Sequence, residues 1–185
     1  MRPAEPPQQV ALRSFVASLA LFDAFVAACG RAAPFSLKWP NDVLLNGGKV
    51  AGILLESAGM GEGVSHIAIG IGVNLLDAPK PEQVEVGAVA PVSLAGETGA
   101  IVTPEEFLDL LAPAYQHYET QFTTYGFAPI REAWLARAAR LGETITARTM
   151  HSETVGRFDT VDEAGNLVLS TPKGREVIPA AEIFF

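Results

Sequence analysis

Residues 35–75 constrain the fold more than any other part of this chain, because they are its most apolar and glycine-punctuated stretch. The first run, residues 35–39, alternates apolar and polar side chains, which is typical of a strand buried on one face. Pro40 ends the run, since proline cannot donate to a strand ladder, and Asn41-Asp42 is turn chemistry. We therefore interpret the stretch as three consecutive strands of one sheet with a ligand lying over it.

A tight hairpin is indicated where residues 43–45 and 50–55, both apolar, flank Asn46-Gly47-Gly48-Lys49. Such a turn needs residues that tolerate positive φ. Residues 67–73 predict a further strand. Its glycines, Gly70 and Gly72, mark either a bulge or a place where something approaches the backbone closely.

The polar residues of this stretch are the candidates for chemistry, and Lys38 is the strongest. It either lies on the solvent face, with its stem covering Trp39, or points into a pocket and holds an anion. Asn41 and Asp42 either form a plain Asx turn or belong to that pocket. Lys49 by itself reads as a solvated hairpin charge.

The bulk properties exclude several classes of protein. The net charge is −8, and the sequence has no basic run, which makes nucleic acid an unfavoured partner. The single cysteine, Cys29, cannot form an internal disulfide, which favours a reducing compartment and the cytoplasm. The histidines, His66, His117 and His151, are scattered without ligand spacing, so no structural metal is predicted.

A long helix is predicted over residues 8–30, after an extended segment over residues 1–7. Its buried face carries Leu12, Phe15, Val16, Leu19, Phe22 and Val26, and Gly30 is a suitable stop. The presence of Arg13 and Asp23 in the run argues against a membrane span.

The composition of residues 77–102 predicts a surface loop with a short helical turn. A helix then starts at Thr103, with Pro104 in its first turn and Glu106 closing a capping box. The apolar residues predicted to form the buried face of this helix are Leu108, Leu111, Tyr115, Tyr118 and Phe122. A second amphipathic helix is predicted over residues 129–140.

From residue 143 onward, about five short alternating runs separated by turn residues predict a small β-barrel. The expected fold class is therefore α+β. A mixed or antiparallel sheet packed by helices occupies residues 1–141, and a small β domain occupies residues 142–185.

Three blocks, KWPNDVLL, KVAGILLES and GIGVNL, stand in this order and at spacings that closely resemble the catalytic core of the biotin protein ligases. The resemblance extends to a C-terminal SH3-like β domain. It implies ATP-dependent attachment of biotin, through biotinyl-5′-AMP, to a lysine of a biotin carboxyl carrier protein. Biotin and ATP would be substrates, and Mg²⁺ would accompany ATP. A homodimer is left open.

The resemblance also implies roles for single residues. Lys38 would be catalytic, contacting the carboxyl end of biotin and the activated phosphate. Asn41 and Asp42 would lie by the nucleotide and metal region, and Lys49 would be a weaker phosphate contact. The remaining expected binding residues are Trp39, Gly52, Gly70, Gly72 and Asn74, with the glycines thinning the floor under the ligand.

The family pattern also includes a loop of the form GRGRxxR, a Ser-Thr pair and a glutamine that reads the biotin ring. None of these is found in the 185 residues. A start site placed too late is the favoured explanation, and the chain by itself is then expected to be a weak or inactive ligase. The alternatives are a lipoate ligase-like or octanoyltransferase-like enzyme, and a non-catalytic binding remnant.

Overall fold

A computed structural model describes residues 1, 5–59, 65–80, 83–84, 87–149 and 152–185. Residues 2–4 of the extended segment predicted for residues 1–7, and His151, lie outside these ranges. The helices are α1 Pro7–Ala11, α2 Arg13–Cys29, α3 Leu94–Thr98, α4 Pro104–Tyr125 and α5 Phe127–Leu135. The strands are β1 Phe35–Lys38, β2 Asp42–Leu45, β3 Gly48–Ala58, β4 His66–Val73, β5 Thr144–Arg148, β6 Glu153–Val161, β7 Leu167–Thr171, β8 Gly174–Ile178 and β9 Glu182–Phe184.

The first sheet has four strands, one more than predicted, in the order β1-β2-β3-β4, with every neighbouring pair antiparallel. The predicted hairpin between β2 and β3 is confirmed, and its turn residues Asn46 and Gly47 have φ values of 50° and 82°. The register shift in this sheet falls between Val43 and Leu44. The pairing of β3 with β4 is regular, so the bulge considered for Gly70 and Gly72 is wrong.

Helix α2 lies in the core, between the sheet and α4. The predicted helix over residues 8–30 is divided at Leu12, and it ends at Gly30, which has a φ of 73°. From Arg13 to Phe22 every residue of α2 is buried, on all faces of the helix, because other elements pack against it on both sides. The run from Pro7 to Cys29 is long and apolar enough to cross a membrane, but it is mostly buried inside the protein, as a core helix would be.

The predicted capping box at the start of α4 is confirmed. Thr103 Oγ1 accepts from the backbone N–H of Glu106, and the Glu106 carboxylate accepts from the backbone N–H of Thr103. These hydrogen bonds lower the pKa of Glu106. The predicted buried face is wrong at Leu108, which is exposed, while Phe107 is buried in its place. Helix α5 is displaced towards the N-terminus of its predicted range and ends at Leu135.

The second sheet contains the five strands expected from the C-terminal pattern, in the order β8-β7-β6-β5-β9. All its pairings are antiparallel. The strands at its two ends, β8 and β9, do not pair with each other, so the predicted barrel is an open sheet. The fold class is otherwise confirmed as α+β with antiparallel sheets.

One hydrophobic cluster runs through both parts of the chain, from Leu12 and Phe15 to Phe158 and Leu169. The outer edge of β1 is closed by the segment after α5. The backbone N–H of Leu37 donates to the Arg137 carbonyl, and that of Ala139 donates to the Leu37 carbonyl, each at 2.8 Å. The C-terminal strands are therefore attached close to the strand that ends at Lys38.

Candidate active site

The site is built on one row of residues that crosses the first sheet. The register pairs Lys38 with Asp42, Asp42 with Gly52, and Gly52 with Gly72. Residues directly opposite one another in an antiparallel sheet share a face. The row therefore places an ammonium and a carboxylate beside two residues that have no side chain.

The carboxylate of Asp42 forms ion pairs with the ammonium groups of two lysines. Its Oδ2 lies 3.5 Å from Lys38 Nζ, and its Oδ1 lies 2.6 Å from Lys49 Nζ. The second contact is an ion pair without hydrogen-bond geometry. The Lys38 side chain is 7% exposed and that of Lys49 is 42% exposed. Two ammonium groups thus share one buried carboxylate, which leaves a local surplus of positive charge.

The three glycines differ in what lies above them. A Cβ at Gly52 would meet Lys49 Cε at 3.0 Å, so the space there is taken by the lysine stem. At Gly72 the nearest atom would be the Gly52 carbonyl oxygen at 4.0 Å, which is an ordinary van der Waals distance. At Gly70 it would be the Leu54 carbonyl oxygen at 3.5 Å. Gly72 is therefore the position at which packing gives least reason for a glycine.

The side chains of the two asparagines of the predicted site donate hydrogen bonds to backbone carbonyls. Asn41 Nδ2 donates to the Ile53 carbonyl at 2.7 Å, which ties the turn before β2 to β3. Asn74 Nδ2 donates to the carbonyls of Lys49 and Val92 at 3.3 and 3.0 Å. Asn74 thereby joins the end of β4 to the loop that precedes α3. Both residues also line the cavity described below.

Trp39 points away from the row. It is 4% exposed, and its indole Nε1 donates to the Gly165 carbonyl in the turn between β6 and β7, at 3.0 Å. The Trp39–Pro40 peptide bond is cis. Of the predicted site residues, Trp39 and Gly70 do not line the cavity, whereas Lys38, Asn41, Asp42, Lys49, Gly52, Gly72 and Asn74 do.

The cavity over the row has a volume of about 830 Å³. Two of its walls were not anticipated from the sequence: the loop after β4, through Pro79, Gln83, Val84, Ala88, Val89 and Pro91, and the start of β9, through Ala181, Glu182 and Ile183. Both approach through long-range contacts, such as the bridge between Lys49 and Pro91. A local pattern carries no signal for such contacts.

The arrangement suits an extended anionic ligand that lies across the sheet. The paired lysines offer positive charge at one end, and the opening over Gly72 allows close approach to the backbone. Among the described residues, no group of three or more His, Cys, Asp or Glu side chains is placed to hold a metal ion.

Two family sequence models match the chain. That of the Biotin/lipoate A/B protein ligase family matches residues 3–74, and that of the Biotin protein ligase C terminal domain matches residues 141–185. The two matches cover the first sheet with the candidate site and the C-terminal open sheet.

Curated relatives align with essentially the whole chain. The biotin–acetyl-CoA-carboxylase ligase of Paracoccus denitrificans is 62% identical over 185 residues, which are 100% of this chain and 77% of that protein. The bifunctional ligase/repressor BirA of Bacillus subtilis is 30% identical over 183 residues, which are 99% of this chain but only 55% of that protein. The chain thus spans about three quarters of the first relative and about half of the second.

Solved structures agree in fold. The biotin protein ligase of Aquifex aeolicus in complex with biotin and ATP superposes with a TM-score of 0.77 at 25% identity, covering 97% of this chain and 71% of that one. The apo form superposes with a TM-score of 0.81 at 23% identity, covering 96% and 76%. On the family matches, the Paracoccus relative and the shared fold, this chain belongs to the biotin protein ligase family.

Proposed function

We propose that the protein is a biotin–acetyl-CoA-carboxylase ligase. It joins biotin and ATP to form biotinyl-5′-AMP and pyrophosphate, and then passes the biotinyl group to a lysine amine of a biotin carboxyl carrier protein. The relative from Paracoccus that carries this name is 62% identical over the full length of the chain. We expect the reaction to take place in the cytoplasm, where ATP and the biotin carboxyl carrier protein are found together.

The observation that carries the proposal is the row from Lys38 to Gly72. Forming an acyl-adenylate brings the carboxylate of biotin against the α-phosphate of ATP, so two anions must be neutralised as they meet. Lys38 and Lys49 lie at that end of the cavity, and Asp42 fixes both ammonium groups. Fixed cations aimed at developing charge lower the barrier because they need little reorganisation during the reaction.

The chain needs no covalent nucleophile for this chemistry. The carboxylate oxygen of biotin attacks the α-phosphorus and pyrophosphate leaves. In the second step the lysine amine of the carrier attacks the acyl carbon of the mixed anhydride, AMP leaves and an amide forms. Positioning and charge stabilisation are sufficient for both steps.

Mg²⁺ fits the site as a companion of ATP. It is usually bound by one or two carboxylates together with substrate phosphates and water. Among the described residues, the acidic side chains that line the cavity are Asp42 and Glu182, of which Asp42 is already held by two lysines. The ion would help to neutralise the pyrophosphate that leaves.

A second candidate is a lipoate ligase-like or octanoyltransferase-like activity, since the matched N-terminal family includes lipoate ligases. The match of residues 141–185 to the biotin protein ligase C-terminal domain favours biotin. A non-catalytic binding role is the remaining alternative.

The test measures biotin-dependent release of pyrophosphate from ATP, followed by transfer of labelled biotin to a purified biotin carboxyl carrier domain. It is run on the 185-residue chain and on the product translated from any in-frame DNA that precedes Met1. Lipoate replaces biotin as the specificity control. Activation of biotin but not of lipoate supports the proposal, whereas activation of lipoate alone, or of neither acid by either form, would contradict it.

A further inference from the structure

We propose that the turn between β6 and β7, residues 162–166, is a positioning device for the adenylation site. It acts through the hydrogen bond from Trp39 to Gly165. The inference rests on the proposed function, because Lys38 is the group that it positions. Trp39 is a positioning residue here and does not contact substrate.

The turn is wedged against the helix that supports the first sheet. A Cβ built on Gly165 would lie 2.7 Å from Leu12 Cδ2 and 3.2 Å from Phe15 Cε2, both on the N-terminal side of the core. Gly165 also has a φ of 83°, a conformation that other residues rarely adopt. Only a residue without a side chain lets this turn approach so closely.

The turn is also stiff. The Asp162 carboxylate accepts hydrogen bonds from the backbone N–H groups of Ala164 and Asn166, both at 2.9 Å, and from Asn166 Nδ2 at 3.0 Å. Arg131 Nε holds the strand just before it by donating to the Val161 carbonyl. The Gly165 carbonyl that receives the Trp39 indole is therefore fixed in position.

Trp39 stands at the start of the short segment that joins Lys38 to Asp42, and other elements hold the rest of it. Ser14 Oγ on α2 donates to the Pro40 carbonyl at 3.2 Å. The backbone N–H of Ile53 on β3 donates to the Asn41 carbonyl at 2.9 Å. Within residues 39–41, the C-terminal turn thus supplies the contact nearest to Lys38, and losing it loosens the segment directly after the residue that carries the catalytic ammonium.

Two substitutions with equal backbone strain separate this role from a general effect on folding. Gly165→Ala pushes a methyl group into Leu12 and Phe15. Gly142→Ala is the matched control, because Gly142 also has a φ of 83° but a Cβ there would meet no atom within 4 Å. A second pair is Trp39→Phe, which removes the indole N–H, and Trp134→Phe, which makes the same replacement at a tryptophan packed edge-on against Phe15.

The first measurement is amide hydrogen exchange over residues 35–45 without any ligand. We expect exchange there to be faster in Gly165→Ala and Trp39→Phe by roughly tenfold, and to stay within about twofold of the parent in each control. This readout does not need an active enzyme. Failure of both the 185-residue chain and the longer product to form adenylate would contradict the proposed function and leave this comparison intact.

The second measurement is adenylate formation from biotin and ATP by the most active form of the chain. Misplacing a group by about 1 Å can cost roughly a hundredfold, so we expect kcat to fall roughly ten- to a hundredfold in Gly165→Ala and Trp39→Phe, with a smaller change in KM. Unchanged exchange in Trp39→Phe, or controls that change as much as their partners, would overturn the inference.

Discussion

At the scale of single residues, the candidate site depends on which positions lack a side chain and which carry a fixed charge. Gly52 and Gly72 are neighbours in the same row, but only at Gly52 is the space for a Cβ taken by another side chain. Lys38 and Lys49 are likewise neighbours across Asp42, one buried and one partly exposed. Substitutions at these four positions should therefore differ in how far they weaken ligand binding and how far they lower stability.

Gly72→Ala should leave the free energy of unfolding almost unchanged, because its methyl group would make only an ordinary van der Waals contact on a regular strand. It should nevertheless weaken binding of biotin and ATP by roughly tenfold, an expectation of about 1.4 kcal/mol for a blocked approach. Calorimetry and thermal unfolding of the same variant check both parts. Gly70→Ala is the comparison, since Gly70 does not line the cavity, and a larger loss of binding there than at Gly72 would contradict the account.

At the scale of elements, the sequence was most informative where a local pattern determines a local structure. The hairpin at Asn46-Gly47 and the capping box at Thr103 were both predicted from a few neighbouring residues. The errors arose where tertiary packing decides the outcome. Leu108 continues a helical stripe but faces solvent, because α4 packs along Phe107, Leu111, Tyr118 and Phe122.

The turn between β6 and β7 is an element whose stability should depend on pH. Partial burial alone would raise the pKa of the Asp162 carboxyl, but the hydrogen bonds from Asn166 and Ala164, with Arg131 nearby, outweigh it and lower the pKa below its ordinary value of 3.8. The folded state therefore favours the ionised form. The resulting stabilisation is present above the pKa of the unfolded chain and is lost as the pH falls through the lower folded value.

Asp162→Ala should accordingly lower the free energy of unfolding at pH 7 by about 1 kcal/mol, a modest value because the carboxylate is only partly buried. The difference from the parent protein should shrink as the pH falls below about 4. Denaturant titrations at several pH values measure it. Glu163→Ala, on the same turn, removes an equal charge without those hydrogen bonds, and an equal loss in that variant would refute the explanation.

At the scale of the whole molecule, one hydrophobic core includes residues on both sides of the boundary predicted near residue 141. The core cluster joins Leu12 and Phe15 to Phe158 and Leu169, and the cavity is closed by Ala181, Glu182 and Ile183 from the C-terminal part. The composition of residues 142–185 predicted strands but could not show what they would pack against. For this reason the sequence predicted the strands beneath the candidate site, but not the loop after β4 and the start of β9 that enclose it.

A continuous core should make unfolding cooperative. We expect a single thermal transition, with coincident curves from tryptophan fluorescence and far-UV circular dichroism. Trp39 and Trp134 lie in the N-terminal part, whereas β5 to β9 contribute strand signal from the C-terminal part. Two separated transitions would show that the parts are independent and would weaken the inference about residues 162–166.

Adenylate formation should depend above all on the ammonium of Lys38, which lies in the cavity wall beside Asp42. The most direct test is the rate of biotinyl-5′-AMP formation by the most active form of the chain, with and without Lys38→Ala. Lys173→Ala is the control, because Lys173 is an exposed residue of the turn between β7 and β8 and lies outside this cavity. We predict a loss of roughly ten- to a thousand-fold for Lys38→Ala alone, through removal of a charge that stabilises the transition state. A rate equal to that of the parent protein would contradict the account.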